Sequence, residues 1–221
     1  MPSVPYLERL TAGSRARFGE LGHVRTIPPG SSITLEGDLG QRLWAIHTGL
    51  VKVSLSHRDG VELVAALRGP GELLGELAIL DDEPRMASAT TLVATEVQVI
   101  GAAEFIGFLR DDPDAALALT RSLAARLRES DAMRLGQAAE DVTQRLARCL
   151  IELARTHGTP DGQSIVIDLP LTQTDLAGIV GASRDAVAKA LQAWRERDLV
   201  LTSRRRIELL DVDTIIRRHR L

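Results

Sequence analysis

The sequence predicts an α+β fold: an N-terminal all-β module, a long helix, and a C-terminal winged helix-turn-helix. Three observations predict it. Residues 23 to 100 carry short β-branched segments broken by glycine turns. From Ala102 the chain changes to a run rich in Ala, Leu, Arg and Glu, with no glycine between Phe108 and Leu135. Leu171 to Val200 then hold two amphipathic helical segments that meet at Gly181. The expected boundaries are 1–111 for the β module, 112–141 for the long helix and hinge, and 142–221 for the last module.

The β module rests on the stretches "HVRTIPPGSSITLEGD", "RLWAIHTGLVKVSLS", "VELVAALRGPGELLGE" and "TTLVATEVQVI". Pro-Gly at 29–30, Gly-Asp at 37–38, Asp-Gly at 59–60 and Gly-Pro-Gly at 69–71 are turn signals. Many short strands at near-even spacing suit a barrel, a roll or a sandwich. Aromatic residues make up only 3% of the chain, so the core is built from Leu, Val, Ile and Ala.

Asp112 before Pro113 suits the start of the long helix. Leu119, Leu123 and Leu127 recur every fourth residue, and Asp131, Leu135, Ala138 and Val142 continue a coiled-coil-like line. A helix this long leaving a β module suits dimerisation. Asp141 offers a cap for the next helix, "VTQRLARCLIELARTHG", whose apolar stripe is Val142, Leu146, Cys149, Leu150 and Leu153. "HGTPDGQ" reads as a loop and "SIVIDL" as a short strand.

In "LTQTDLAGIVGASRDAVAKALQAWRERDLV", Thr172 caps a helix carrying Leu176, Ile179 and Val180. Gly181 supplies the tight turn, and small Ala177 allows a close crossing. Ser183 caps a second helix with Val187, Ala190, Leu191 and Trp194 on its core face. Its exposed face carries Arg184, Asp185 and Lys189 in the turns that enter the major groove in this motif. Arginine can bond guanine O6 and N7 together, and a carboxylate can accept from cytosine N4. "VLTSRRRIELL" then reads as a hairpin wing, with Arg204, Arg205 and Arg206 at a basic tip suited to phosphates. Charge agrees. From Gln144 to Leu221 there are 13 Lys+Arg against 10 Asp+Glu, a balance of +3, while the rest of the chain stands at −6.

In combination these motifs resemble the cyclic-AMP receptor protein and fumarate-nitrate regulator (Crp/Fnr) family of bacterial transcription factors, roughly from Ile27 to Leu210. "GELAIL…PR" resembles the family's phosphate-binding cassette in a β-roll, and "LTQTDLAGIVGASRDAVAKAL" its helix-turn-helix. The resemblance implies that Gly75, Glu76 and Leu77 open the cassette, with Glu76 on the ribose 2′-hydroxyl and Arg85 on the cyclic phosphate. It places Arg126 near Glu76, and Ser130 and Asp131 where nucleotide-binding members meet the adenine across the dimer. Arg184, Asp185 and Lys189 match base-reading positions; Thr172 and Gln173 match backbone contacts. Cyclic AMP, or another cyclic nucleotide, is the implied effector. The implied partners are a second copy of the chain, near-palindromic double-stranded DNA and RNA polymerase.

Three positions depart from the pattern. Met86 stands where cyclic-AMP binders have Ser or Thr, which removes one phosphate hydrogen bond and leaves that role to backbone N–H groups near Ala87. Asp131 replaces a hydroxyl near the dimer axis. Asp185 replaces a glutamate, one methylene longer. The residues therefore leave two pocket readings open: a working cyclic-nucleotide site, or a vestigial one in a regulator that is ligand-independent or senses another small molecule.

Other classes find less support. No Walker loop, G-x-S-x-G or zinc motif appears, so no enzyme is expected. One cysteine excludes an iron–sulfur cluster. His23, His47 and His57 lack metal-ligand spacing, so no metal is expected. No apolar run approaches ~18 residues, so no membrane span is expected. The opening residues lack a signal-peptide pattern, and Cys149 alone fits a reducing cytoplasm.

Overall fold

The protein is described by a computed structural model that covers residues 4–56, 62–203 and 205–219. Contacts divide the chain into two units, Met1–Val61 with Ala66–Ala132, and Glu62–Ala65 with Met133–Leu221.

The first unit is the expected roll. Strands β1 (His23–Ile27), β3 (Arg42–Thr48), β6 (Leu73–Leu74) and β8 (Thr95–Gly101) form one sheet in the order β1-β8-β3-β6. Strands β2 (Ser32–Thr34), β4 (Val51–Ser56), β5 (Glu62–Arg68) and β7 (Ser88–Thr91) form a second in the order β2-β7-β4-β5, the first four residues of β5 being those counted with the second unit. Side chains alternate across a strand, and β3 uses both faces. Trp44 and Ile46 join Ile27, Val51, Leu74, Ala89, Val97 and Val99 in the core shared by the two sheets. Leu43 and Ala45 face a second core with Tyr6, Phe18, Phe105, Phe108 and Leu119.

That second core comes from helices α1 (Tyr6–Arg9), α2 (Ala12–Gly19), α4 (Ala102–Asp111) and the start of α5 (Pro113–Ala139). The cassette helix α3 (Leu77–Leu80) lies between β6 and β7 in sequence. Asp112 breaks α4 from α5, and its carboxylate accepts from the Ala115 N–H at 3.1 Å, as the Asp-Pro signal implied. The single leucine face expected of α5 divides. Leu119 is buried and Leu123 packs on the helical core, whereas Leu127 is 62% exposed. A four-residue step overshoots one helical turn by about 40°, so the line rotates off the roll as it runs. Met133 and Leu135 are also exposed, the latter at 69%.

The second unit begins with α6 (Val142–His157), capped as expected: Asp141 accepts from the Gln144 N–H at 2.8 Å, and the Gln144 side chain accepts from the Asp141 N–H. Its buried stripe is Leu146, Ala147, Leu150, Leu153 and Ala154; Val142 and Cys149 are only half-buried. Desolvation, and after it the Glu152 charge, pushes the thiol up to about 12.

The expected loop after α6 is in fact a strand. β9 (Gly158–Asp161) pairs antiparallel with β10 (Ser164–Ile167) across a turn at Gly162, φ +62°. Its composition hid it: Pro160 is tolerated because β9 is an edge strand. Then come α7 (Gln173–Val180), α8 (Arg184–Arg195), the wing strands β11 (Val200–Ser203) and β12 (Arg206–Leu209), and α9 (Val212–His219). The sheet order is β11-β12-β10-β9.

Candidate functional site

The helix-turn-helix is built from local signals. Thr172 accepts from the Asp175 N–H at 3.0 Å and Asp175 bonds back to the Thr172 N–H at 2.8 Å, closing a capping box on α7. Gly181 ends α7 at φ +64°, ψ +51°, a conformation that an L side chain adopts only with strain. A Cβ there would also meet Gln137 Nε2 at 2.6 Å. Ser183 accepts from the Ala186 N–H at 3.2 Å and starts α8. Ala177 is buried between the helices, and Val187, Ala190, Leu191 and Trp194 form the buried face of α8.

Arg184, Asp185 and Lys189 are thereby left exposed on one rigid helix. Thr172 is exposed and Gln173 half-buried; both line a cleft of about 560 Å³ together with Thr202, Ser203 and Arg205 of the wing. The start of α7 and the wing thus lie beside each other. Arg205 is exposed at φ +63°. Arg206 differs from the uniform basic tip expected: it is half-neutralised by Glu208 at 3.3 Å and Asp161 at 3.7 Å. Arg204 lies outside the described residues.

Sequence reasoning missed Arg145. Its Nε donates to the Val180 carbonyl at 2.7 Å, Nη2 to Gly181 at 3.3 Å, and Nη1 to Glu140. One guanidinium thus caps the C-terminal carbonyls of α7, where a cation also meets the favourable end of the helix dipole. Nothing in local sequence marks it, because its partners are backbone atoms.

The cassette is organised differently. Glu76 is 2% exposed and its carboxylate accepts from Arg126 Nη1, while Arg126 Nη2 donates to the Leu73 carbonyl at 3.1 Å. The partner of Glu76 is thus Arg126, which the resemblance placed near it. Arg85 is 5% exposed and donates Nη1 to the Gly75 carbonyl and Nη2 to the Arg42 carbonyl. Its Cζ sits 5.2 Å from the Trp44 ring centroid. Burial pushes the guanidinium down from its ordinary range, with Glu76 and Asp38 opposing. Gly75 is required at φ +82°, since a Cβ there would lie 2.1 Å from Arg85 Nη1. The backbone of Arg85 is clasped too: its N–H donates to Asp38 and its carbonyl accepts from Gly37, both at 2.8 Å.

One donor remains. The Nε–H of Arg85 is buried with no partner among the described residues. Met86 beside it is 62% exposed; Leu77 is exposed and Ala87 half-buried. On α5, Ser130 is half-buried and Asp131 exposed. Trp44, Arg42 and Asp38 belong to this neighbourhood; the first two carried no sequence signal beyond strand alternation, and Asp38 none beyond its turn.

Residues 24–112 match the cyclic nucleotide-binding domain family and residues 144–218 the Crp-like helix-turn-helix domain family. A "CRP-like cAMP-activated global transcriptional regulator" of Mycobacterium tuberculosis is 33% identical over 87% of this chain and 86% of its own. The chain belongs to the Crp/Fnr family of transcription regulators. Within the family, a "Cyclic AMP receptor protein" of Thermus thermophilus is 35% identical over 80% of this chain and 78% of its own. The fold is shared with the c-di-GMP responsive global regulator CLP of Xanthomonas campestris, at a TM-score of 0.80, 24% identity, and coverage of 90% and 99%. The Crp-family relatives are transcription regulators, not enzymes. No helix of the described residues is long and apolar enough to cross a membrane.

Proposed function

We propose that this Crp/Fnr regulator works as a cytoplasmic homodimer on near-palindromic double-stranded DNA, and that its roll takes a cyclic nucleotide, cyclic AMP foremost. The observation that carries the effector is the Arg85 Nε–H, a buried charged donor without a partner. Leaving such a group unmade costs about 1–3 kcal/mol or more, and a phosphate oxygen satisfies it. Glu76 accepts the ribose hydroxyl on its second oxygen while Arg126 holds the first. Met86 supplies no hydroxyl, so the phosphate relies on Arg85 and on backbone N–H groups near Ala87. The M. tuberculosis relative, named as cAMP-activated, and the T. thermophilus relative, named a cyclic AMP receptor protein, support this effector.

On the DNA side, Arg184, Asp185 and Lys189 read bases, with Thr172, Gln173, Ser183, Arg204, Arg205 and Arg206 around the backbone. Two half-sites one helical turn apart need two recognition helices ~34 Å apart, which a symmetric dimer supplies. The exposed Leu127, Met133 and Leu135 on α5 support pairing there, with Ser130 and Asp131 close to the effector. Operator-bound dimers then recruit or block RNA polymerase.

Calorimetry tests the effector. Cyclic AMP gives saturable heat with the natural chain, cyclic GMP less, and Arg85→Ala abolishes it. Absence of heat with both nucleotides would leave a ligand-independent regulator with a vestigial pocket. Sedimentation at micromolar concentration checks the dimer; a monomer with and without DNA removes that part of the reading.

A further inference from the structure

We infer that the roll carries a second anion site, separate from the cassette, which takes a small flat molecule bearing a phosphate or carboxylate group. Strand alternation builds it. Arg42 and Trp44 are two apart on β3, and Arg25 and Ile27 two apart on β1, so each pair shares one face of its strand. Trp44 and Ile27 belong to the core between the sheets, which places both arginines at the margin of the inner face. There a cleft of about 230 Å³ opens, lined by Arg25, Arg42, Ser31, Ser32, Trp44 and Val99 among others. Neither Glu76, Arg85 nor Met86 lines it.

The chemistry of the lining is one-sided. It carries two arginines and two hydroxyls and no carboxylate. Guanidinium groups bind oxyanions through short charge-assisted hydrogen bonds, and the Ser31 hydroxyl adds a donor, that of Ser32 being turned to the Thr34 carbonyl at 3.4 Å. The indole of Trp44 and the side chain of Val99 supply an apolar wall, and an aromatic face favours a stacked ring. Size sets the class of occupant: the cleft is smaller than the ~300–1,000 Å³ that hold drug-sized ligands, so a single substituted ring fits better than a nucleotide. The site is also joined to the cassette. The Arg42 carbonyl accepts from Arg85 Nη2, and Trp44 lies against Arg85, so an occupant that shifts Arg42 or Trp44 shifts the cassette arginine.

The chain has two tryptophans, so Trp194→Phe leaves Trp44 as the sole indole reporter. Phenyl phosphate, benzoate and inorganic phosphate are titrated against this variant, with calorimetry on the natural chain as a check. The expected result is saturable quenching by phenyl phosphate or benzoate, whichever anion the site prefers, and weaker binding of inorganic phosphate. Arg25→Gln with Arg42→Gln, both at exposed positions, weakens the ring-bearing probe about tenfold or more, and excess cyclic AMP does not displace it. No saturable binding, binding indifferent to the two arginines, or displacement by cyclic AMP in equal proportion would overturn the site. A protein that takes phenyl phosphate but no cyclic AMP keeps this inference and loses the cyclic-nucleotide reading.

Discussion

On α8, Arg184, Asp185 and Lys189 stand exposed on a helix whose cap, turn and buried face are complete. In the roll, Glu76 and Arg85 are buried, and each already holds partners from its own chain. The contrast fits the occupant proposed for each region. A duplex is large and rigid, so its reader gains by being preformed and open. A small effector must change its protein, so its site gains by holding internal bonds that a ligand can exchange. Substitutions should therefore separate the two regions: those in the roll site change stability, and those on α8 change binding alone.

The largest expected effect is at Arg126. Arg126→Ala leaves the Glu76 carboxylate buried and unpaired, which costs about 3–5 kcal/mol. Denaturant unfolding of the roll checks this, and adding Glu76→Gln should recover much of the loss. A change under about 1 kcal/mol would mean that the pair is not the internal lock described here. Arg184→Ala should behave in the opposite way. Operator affinity falls by about 1–3 kcal/mol with relaxed preference at one base pair, while the melting temperature stays put. Arg205→Ala, at the wing, weakens all sequences alike and flattens the salt dependence. Equal loss of sequence preference from both would remove the division between base-reading and phosphate-holding residues.

Smaller effects sharpen the same comparison. Thr172→Ala removes one half of the α7 capping box and should lower the stability of the DNA-binding unit by about 1 kcal/mol, measured by thermal melting. Met86→Ser is the mildest for stability. Met86 is 62% exposed, so the change should stay within about 0.5 kcal/mol. Cyclic-AMP binding should nevertheless tighten, by up to the ~1.5–3 kcal/mol of a hydrogen bond to a charged group. A drop in melting temperature with no binding would fit a vestigial cleft instead.

The helix-turn-helix was legible because its signals are local. Thr172, Gly181 and Ser183 act on backbone within three or four residues of themselves, and the apolar spacing of α8 is read directly. Strand β9 was not legible, because its hydrogen bonds lie in β10 and three of its four residues, Gly158, Pro160 and Asp161, are depleted in strands. Along α5 the leucine line turns as it runs, so that Leu119 is buried and Leu127 exposed in the single chain. In the cassette, the residue types were visible and the pairing was not. The partners of Arg85 are carbonyls of Gly75 and Arg42, ten and 43 residues away, and no side-chain pattern announces a carbonyl. Arg145 escaped for the same reason.

The central claim, that an inward-facing effector site governs an outward-facing DNA reader, comes down to one coupled measurement. A labelled operator selected from random-sequence DNA is titrated with the protein by fluorescence anisotropy, with and without saturating cyclic AMP. The account predicts operator binding at least about tenfold tighter with the nucleotide, a coupling of roughly 1.4 kcal/mol, and no such gain for Arg85→Ala. Equal operator affinity with and without cyclic AMP in the natural chain would contradict it.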